Sequence, residues 1–165
     1  MDPSALLHST EAGLFCPLGG FHIDPVRPVR RALVTHGHAD HARPGHGKVL
    51  ATRQTLDIMA LRYGEDHAGA TQAVEWGEVI GIDGVRVSYH PAGHVLGSAQ
   101  IAVEAGGTRI VATGDYKRGA DPTVEPYVPV PCEVLITEAT FALPVFRHPA
   151  PRGEIARLLT SLQQF

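Results

Sequence analysis

Three histidines and an aspartate fall within six residues in the segment 34–41, VTHGHADH, directly after an apolar run. Burying four such side chains without ligands is costly. The alternative is an ordinary polar loop in which each imidazole is satisfied by backbone groups. The density of the four side chains favours a metal site, and the rest of the chain must fold so as to complete it.

Backbone periodicity predicts how these side chains divide. The segment 31–34 is typical of a short buried strand, and residues two apart in extended chain point the same way, so His36 and His38 converge on one ion. If the chain then turns into a short helix, Asp40 and His41 face a second ion. Imidazole and carboxylate ligands suit zinc, or manganese or iron with more oxygen ligands. Two ions about 3.5–4 Å apart would activate a water and hold both oxygens of a displacement.

Composition sets the outer limits of the fold. With 165 residues, of which 44% are hydrophobic, the chain can bury one core and not two complete domains. The formal net charge of -3 gives no general polycationic attraction, so any contact with nucleic acid is local. Cys16 and Cys132 lack the spacing of a disulfide framework or a zinc site, which indicates free thiols.

No membrane segment or secretion signal is predicted. The N-terminus lacks a basic segment followed by an apolar core, and no run approaches the roughly 20 apolar residues of a membrane span. A cytoplasmic protein is the expectation.

Alternating and helical patterns predict a β-rich chain with helices laid against its sheets. Thr52 should cap a helix with Leu56 and Met59 on its buried face, the polar loop 64–69 should leave His67 exposed, and 153–165 should form a helix with an apolar stripe. Strands are predicted at 13–16, 20–23, 31–34, 48–51, 72–75, 78–82, 85–90, 99–104 and 108–113.

Three further candidates stand where predicted strands end in loops, a common place for functional residues. Asp24 could hold a ligating histidine in position, although a turn-forming Asp-Pro is an equally good interpretation. His94, between Gly93 and Gly97, could supply a third nitrogen to the first ion. Asp115, after Gly114, could supply a carboxylate that bridges both ions.

The ordered set HGHADH, then Gly93-His94, then Gly114-Asp115, resembles the metallo-β-lactamase superfamily, and Asp24 matches its first acidic motif. The resemblance implies an α/β fold, the four-layer αββα sandwich with metals at one edge of the two sheets. It also implies the roles of the side chains: His36, His38 and His94 for the first ion, Asp40 and His41 for the second, and Asp115 as the bridge.

The segment 135–141, LITEATF, resembles the first motif of the β-CASP nucleases, with Glu138 as its acidic residue; a helix cap is the alternative. The sequence of residues 89–118 is similar to that of bacterial ligase-associated DNA exonucleases and of messenger-RNA 3′-end processing nucleases. The resemblance implies a metallo-β-lactamase domain over 1–140 and the start of a β-CASP insertion over 141–165. After Glu138 the sequence has one histidine, His148, which follows too soon to match either of the later histidine motifs of that branch. We therefore interpret the chain as an N-terminal half completed by a further segment or a partner chain.

The activity that the resemblance implies is metal-dependent hydrolysis of phosphodiester bonds in nucleic acid with two divalent ions, zinc first. A DNA 3′-exonuclease associated with DNA ligase and repair is expected, with Asp40 and Glu138 as catalytic residues. Lys117 and Arg118 could meet phosphate, or could be a solvated pair. The alternatives are an RNA-processing β-CASP ribonuclease, a hydrolase of a small thioester or lactam, and an inactive metal-binding fragment.

Overall fold

Two β-sheets face each other across an apolar core in the computed structural model, which describes residues 2–147 and 149–164. The helices are α1 (Pro3–Leu6), α2 (Arg53–Tyr63) and α3 (Pro151–Leu162), with a 3-10 turn at Glu65–His67. The strands are β1 (His8–Thr10), β2 (Gly13–Cys16), β3 (Phe21–Ile23), β4 (Arg31–Leu33), β5 (Lys48–Thr52), β6 (Thr71–Val74), β7 (Ile80–Ile82), β8 (Val85–Pro91), β9 (Ala99–Ala105), β10 (Thr108–Ala112) and β11 (Val134–Ile136).

The two sheets differ in strand direction. The first sheet has the order β1-β2-β3-β4-β5-β6, and its strands β3 to β6 run parallel to one another. The second has the order β11-β10-β9-β8-β7, in which β7 to β10 are antiparallel neighbours and β11 runs parallel to β10. This mixed α/β architecture with two sheets confirms the predicted fold class.

Alternation along the strands decides which side chains enter which layer. Leu33 and Leu50 lie in the core between the sheets, where fully buried Tyr89 also packs. The neighbouring Ala32 and Val49 point the other way and pack in a second apolar cluster that includes residues of α2. Because side chains on a strand alternate between faces, the first sheet is apolar on both sides and holds α2 on its outer face.

The predicted helix begins and ends as its sequence indicates. The Thr52 side chain accepts a hydrogen bond from the Thr55 amide at the N-terminus, and α2 ends before Gly64, whose φ is 90°. Leu56 and Met59 are buried on its inner face. The capping and the apolar stripe of this helix are confirmed.

The prediction that His67 is exposed is wrong, because its side chain is 4% exposed. The loop 64–69 pairs with 45–47 through backbone hydrogen bonds from Gly45 N–H to the His67 carbonyl and from Gly69 N–H to the His46 carbonyl. These non-local bonds draw a polar loop inward, and His46 is buried with it.

Helix α3 carries its apolar stripe on the outside. None of its described residues is buried, and the aliphatic side chains of the stripe are between 56% and 63% exposed: Ile155, Leu158, Leu159 and Leu162. The helical register is as predicted, whereas the division of the chain at residue 140 stays a prediction. His148 lies outside the described residues.

Among the helices of the described residues, none is both long and apolar enough to cross a bilayer.

Replacing Tyr89 with Phe should lower the free energy of unfolding by about 1 kcal/mol, because the Tyr89 hydroxyl donates a buried hydrogen bond of 2.9 Å to the Leu50 carbonyl between the two sheets. Urea unfolding followed by circular dichroism measures the change. An unchanged unfolding midpoint would show that this bond between the sheets contributes nothing net.

Candidate metal centre

Each candidate side chain follows the carboxyl end of a strand. Asp24 follows β3, His36 and His38 follow β4, and His94 follows β8. Asp115 follows β10 and Glu138 follows β11 in the second sheet. The candidate residues therefore meet at one edge of the sandwich although they are up to 114 positions apart in the chain, from Asp24 to Glu138.

Three imidazoles and one carboxylate form the centre of the cluster. His36 Nε2 lies 3.0 Å from His38 Nδ1, and His94 Nε2 lies 3.3 Å from the same atom. Asp115 Oδ2 lies 3.6 Å from His94 Nε2 and 3.9 Å from His36 Nε2. One atom from each of the four residues lies within 4.8 Å of the others, which is the spacing needed to hold one metal ion.

A second set of donors adjoins the first. His41 Nε2 lies 3.5 Å from Asp115 Oδ1 and 3.7 Å from Asp40 Oδ2, so the two oxygens of Asp115 face the two sets. The Asp40 side chain is 75% exposed. The expected short helix is a single turn instead, in which the amides of His41 and Ala42 donate to the His38 carbonyl.

Asp24 ties the first sheet to this cluster. Its Oδ1 accepts the Thr35 amide at 2.8 Å, and its Oδ2 contacts the Thr35 hydroxyl at 2.6 Å and His41 Nδ1 at 2.8 Å. The backbone of Asp24 has φ of 44°, a left-handed conformation that non-glycine residues rarely adopt. These three contacts hold Asp24 in that conformation and support the positioning interpretation over a simple turn.

Glycines and a serine allow the loops from the second sheet to reach the cluster. Gly93 has φ of 71°, and a Cβ there would collide with the Lys117 carbonyl. Gly114 has φ of 55°, and a Cβ there would lie 2.7 Å from the Thr35 Cβ. The buried Ser98 hydroxyl accepts the amide of His94 at 3.0 Å and so fixes the turn that presents this histidine.

The electrostatics of the cluster keep its central imidazole neutral. Burial, together with the neighbouring imidazoles of His41, His38 and His94, lowers the pKa of His36 to about 3. Burial also lowers the pKa of His94, against the opposing charge of Asp115. Neutral imidazoles present a lone pair, so the donor set fits a divalent cation.

His41 behaves in the opposite way. Burial lowers its pKa, but the hydrogen bond and charge of Asp24, followed by the charges of Asp115 and Asp40, outweigh burial and raise it overall. Three carboxylates around one imidazole concentrate negative charge on this side of the cluster. A cation bound there would relieve that concentration of charge.

Glu138 borders the cluster without a hydrogen bond to its histidines among the described residues. Its carboxylate accepts the amides of Thr140 at 3.1 Å and Tyr116 at 3.4 Å. Burial raises its pKa, but these hydrogen bonds and the nearby His94 lower it overall, so the group is ionised at neutral pH. An open groove of about 400 Å³ is lined by Asp40, His41, Glu138 and an apolar wall.

The two candidate phosphate ligands have different surroundings. Lys117 Nζ forms an ion pair of 2.7 Å with Asp121, so its charge is largely engaged. Arg118 is exposed and lines a shallow cavity together with Tyr116 and Glu138, and no ion pair of its guanidinium is found in the described part of the chain. Arg118 is thus the better placed of the two to meet an anion.

Sequence reasoning missed Thr35 and Ser98. Both act through hydrogen bonds to residues that it did consider, Asp24 and His94. The signal for Ser98 was available, because serine hydroxyls commonly hydrogen-bond backbone groups in tight turns, and glycines mark a turn here. The contact of Thr35 with Asp24 joins separate strands and has no local signature.

The two facing sheets and the convergent histidine–aspartate cluster at their edge define a domain with a candidate site for a divalent metal ion. The chain belongs to the metallo-beta-lactamase superfamily, whose family model matches residues 21–160.

The relatives that this chain matches are much longer than the chain itself. A probable DNA ligase from Opitutus terrae is 32% identical over 139 residues, which is 83% of this chain and 13% of the relative. Endoribonuclease YSH1 from Eremothecium gossypii is 29% identical over 168 residues, covering 79% of this chain and 21% of the relative. Among solved structures, Zn(2+)-bound PqqB from Methylobacterium extorquens has a TM-score of 0.44 and 17% identity, covering 55% of this chain and 40% of that chain.

Acid should destabilise the metal-free protein. Unfolded His36 titrates near its ordinary pKa of 6.5, whereas folded His36 stays neutral down to about 3, so between these values the unfolded state binds more protons. Stability therefore falls as the pH falls through this window, by up to about 1.4 kcal/mol per pH unit for this group. The raised pKa of His41 acts with the opposite sign, since its contribution is complete below 6.5 and is lost as the pH rises through its folded pKa.

Urea unfolding of EDTA-treated protein at about pH 7 and about pH 5 measures the effect, and His36→Asn should make the dependence shallower. Equal pH dependence in the variant and the wild type would show that His36 is not the source of the acid sensitivity.

Proposed function

We propose that this chain carries the metal-binding part of a nuclease that hydrolyses phosphodiester bonds in nucleic acid. The observation that carries the proposal is Asp115, whose two oxygens face His94 and His36 on one side and His41 on the other. Relatives named as a DNA ligase and as an endoribonuclease act on nucleic acid by their names, which supports this substrate class.

Two divalent ions, zinc first, fit the donor set. His36, His38 and His94 would hold one ion, Asp40 and His41 the other, with Asp115 shared between them. Divalent ions at such a site supply Lewis acidity and stabilise the negative charge that develops during phosphoryl transfer. Manganese or iron would suit the carboxylate-rich side, because these ions accept more oxygen ligands.

Side chains of this chain would then orient the attacking water, accept its proton and contact the phosphate. Asp40 is exposed on the open side of the cluster, 3.7 Å from His41 Nε2, where it can orient an attacking water and accept its proton. Glu138, ionised and held by two backbone amides, lies at the edge of the groove and adds negative charge beside the cluster. Arg118 would contact a phosphate oxygen through its exposed guanidinium.

DNA is the substrate that we favour, with trimming of 3′ ends in association with a DNA ligase. This preference rests on the resemblance of residues 89–118 to ligase-associated exonucleases and on the relative named as a probable DNA ligase. RNA processing is the second candidate, supported by the relatives named as endoribonucleases. The charge of -3 supports neither over the other.

We also propose that residues 141–165 begin a β-CASP insertion and that a further segment or a partner chain completes the second ion's ligands. The exposed stripe of α3 and the groove beside Asp40 and His41 support this division. The chain spans 13% and 21% of the length of the two relatives described above.

Replacing Asp40 with Asn should reduce cleavage of labelled single-stranded DNA by about 100-fold or more, because an amide neither accepts the proton nor carries the charge. The fold should be unchanged, since the Asp40 side chain is mostly exposed. Asp57→Asn, an exposed change on α2, is the matched control. Full activity of the Asp40→Asn variant would remove Asp40 from the mechanism.

Metal content and cleavage should be measured together on the wild-type chain. We expect one tightly held zinc ion per chain by mass spectrometry, a second held more weakly because its ligand set is incomplete, and faster loss of labelled DNA than of labelled RNA. His94→Asn should lose the first ion, because it removes a nitrogen from the centre of the cluster. A chain that retains its metal and cuts neither nucleic acid would contradict the nuclease proposal for this unit.

A further inference from the structure

Thr35 is a buried residue of the cluster to which neither the family match nor the spacing of the ligands assigns a role. Its side chain lies between Asp24 and the imidazole of His36 and is 1% exposed. The hydroxyl oxygen is 2.6 Å from Asp24 Oδ2 and 3.1 Å from His36 Nδ1. A hydroxyl has one proton to donate and can accept others, so these two contacts constrain each other.

The direction of each hydrogen bond follows from proton counting. A carboxylate can only accept hydrogen bonds, so the Thr35 hydroxyl must donate its single proton to Asp24. The contact between Thr35 and His36 then forms only if His36 Nδ1 carries a proton and donates it. Neutral His36 is thereby held as the Nδ1–H tautomer, with the lone pair on Nε2.

The lone pair of His36 Nε2 then faces the other candidate ligand atoms of the cluster. This atom lies 3.0 Å from His38 Nδ1 and 3.9 Å from Asp115 Oδ2. The alternative tautomer would aim an N–H at this point and would leave Nδ1 and the Thr35 oxygen as two facing acceptors. Both would be buried without a proton between them, which is costly.

The same carboxylate acts on His41 directly. Asp24 Oδ2 lies 2.8 Å from His41 Nδ1, so that nitrogen also donates and leaves Nε2 facing Asp115 and Asp40. Asp24 therefore fixes which ring nitrogen donates in both imidazoles, in His41 by direct contact and in His36 through the Thr35 hydroxyl.

We propose that Thr35 is a positioning residue that selects the metal-binding tautomer of His36 by relaying the hydrogen-bond demand of Asp24. The proposal rests on the metal centre of the proposed function and adds a residue to it. Outer hydrogen-bond partners of ligating histidines typically change metal affinity by 10- to 100-fold.

The test compares Thr35→Val, which keeps the shape and removes the hydroxyl, with Thr35→Ser, which keeps the hydroxyl. Zinc affinity is measured with zinc alone, by competition against a chelator. The imidazole tautomers of the metal-free protein are read from long-range ¹H–¹⁵N spectra, with the His36 signals assigned through His36→Asn. Thr10→Val is the matched control, because Thr10 also uses its hydroxyl to join backbone groups, in the hairpin of β1 and β2 away from the cluster.

The expected result is zinc binding weakened by about 10- to 100-fold in Thr35→Val and nearly restored in Thr35→Ser, with Thr10→Val like the wild type. The His36 signals should show the Nδ1–H tautomer in the wild type and in Thr35→Ser, and a mixture in Thr35→Val.

Wild-type protein with His36 as the Nε2–H tautomer would overturn the proposal, even if Thr35→Val failed to fold. Unchanged zinc affinity and an unchanged tautomer in a folded Thr35→Val would overturn it as well. A wild type that shows the expected tautomer but binds no zinc would instead contradict the proposed metal site, so the two failures are distinguishable.

Discussion

The rest of the site depends on the hydrogen bonds of the Asp24 carboxylate. The carboxylate accepts hydrogen bonds from the amide and the hydroxyl of Thr35 and contacts His41. One side chain therefore fixes the path of the chain after β4 and the orientation of the His41 imidazole, six residues after Thr35. Asp24 itself occupies a left-handed backbone conformation. Such strain persists only where the surroundings over-determine it, and here the three hydrogen bonds do so.

The architecture explains why the site lies at this edge. β3 and β4 run parallel, so Asp24 and His36 leave the first sheet on the same side. β8, β10 and β11 end at the same edge in the second sheet, which brings His94, Asp115 and Glu138 opposite them. Glycines at positions 93 and 114 then let the loops approach closely enough for side chains from both sheets to meet.

Much of this could be predicted from the sequence, and for physical reasons. The apolar run of Ala32, Leu33 and Val34 is a local pattern, and so is the stripe of α2, so the strands β2 to β10 and the helix α2 were predictable within two residues, whereas β1, β11 and α1 were not predicted. The pairing of His36 with His38 follows from the two-residue period of extended chain.

What the sequence did not disclose depends on contacts between distant segments. The burial of His67 comes from backbone bonds to residues 45–47, which no local pattern encodes. Thr35 is an unremarkable threonine until β3 brings Asp24 beside it. The ion pair of Lys117 with Asp121 joins residues only four positions apart, but it depends on how an irregular loop closes, and it leaves Arg118 as the better phosphate candidate.

The division of the cluster between two sheets links the chemistry of the site to the mechanics of the fold. His36, His38 and His41 belong to the first sheet, whereas His94 and Asp115 belong to the second, and elsewhere the sheets meet largely through apolar contacts that are not directional. An ion held by both groups would act as a cross-link at one end of the sandwich and would oppose sliding of one sheet over the other. Substitutions in the core between the sheets can therefore change metal affinity without touching a ligand, since the energy that aligns the sheets also sets the distance between their donors.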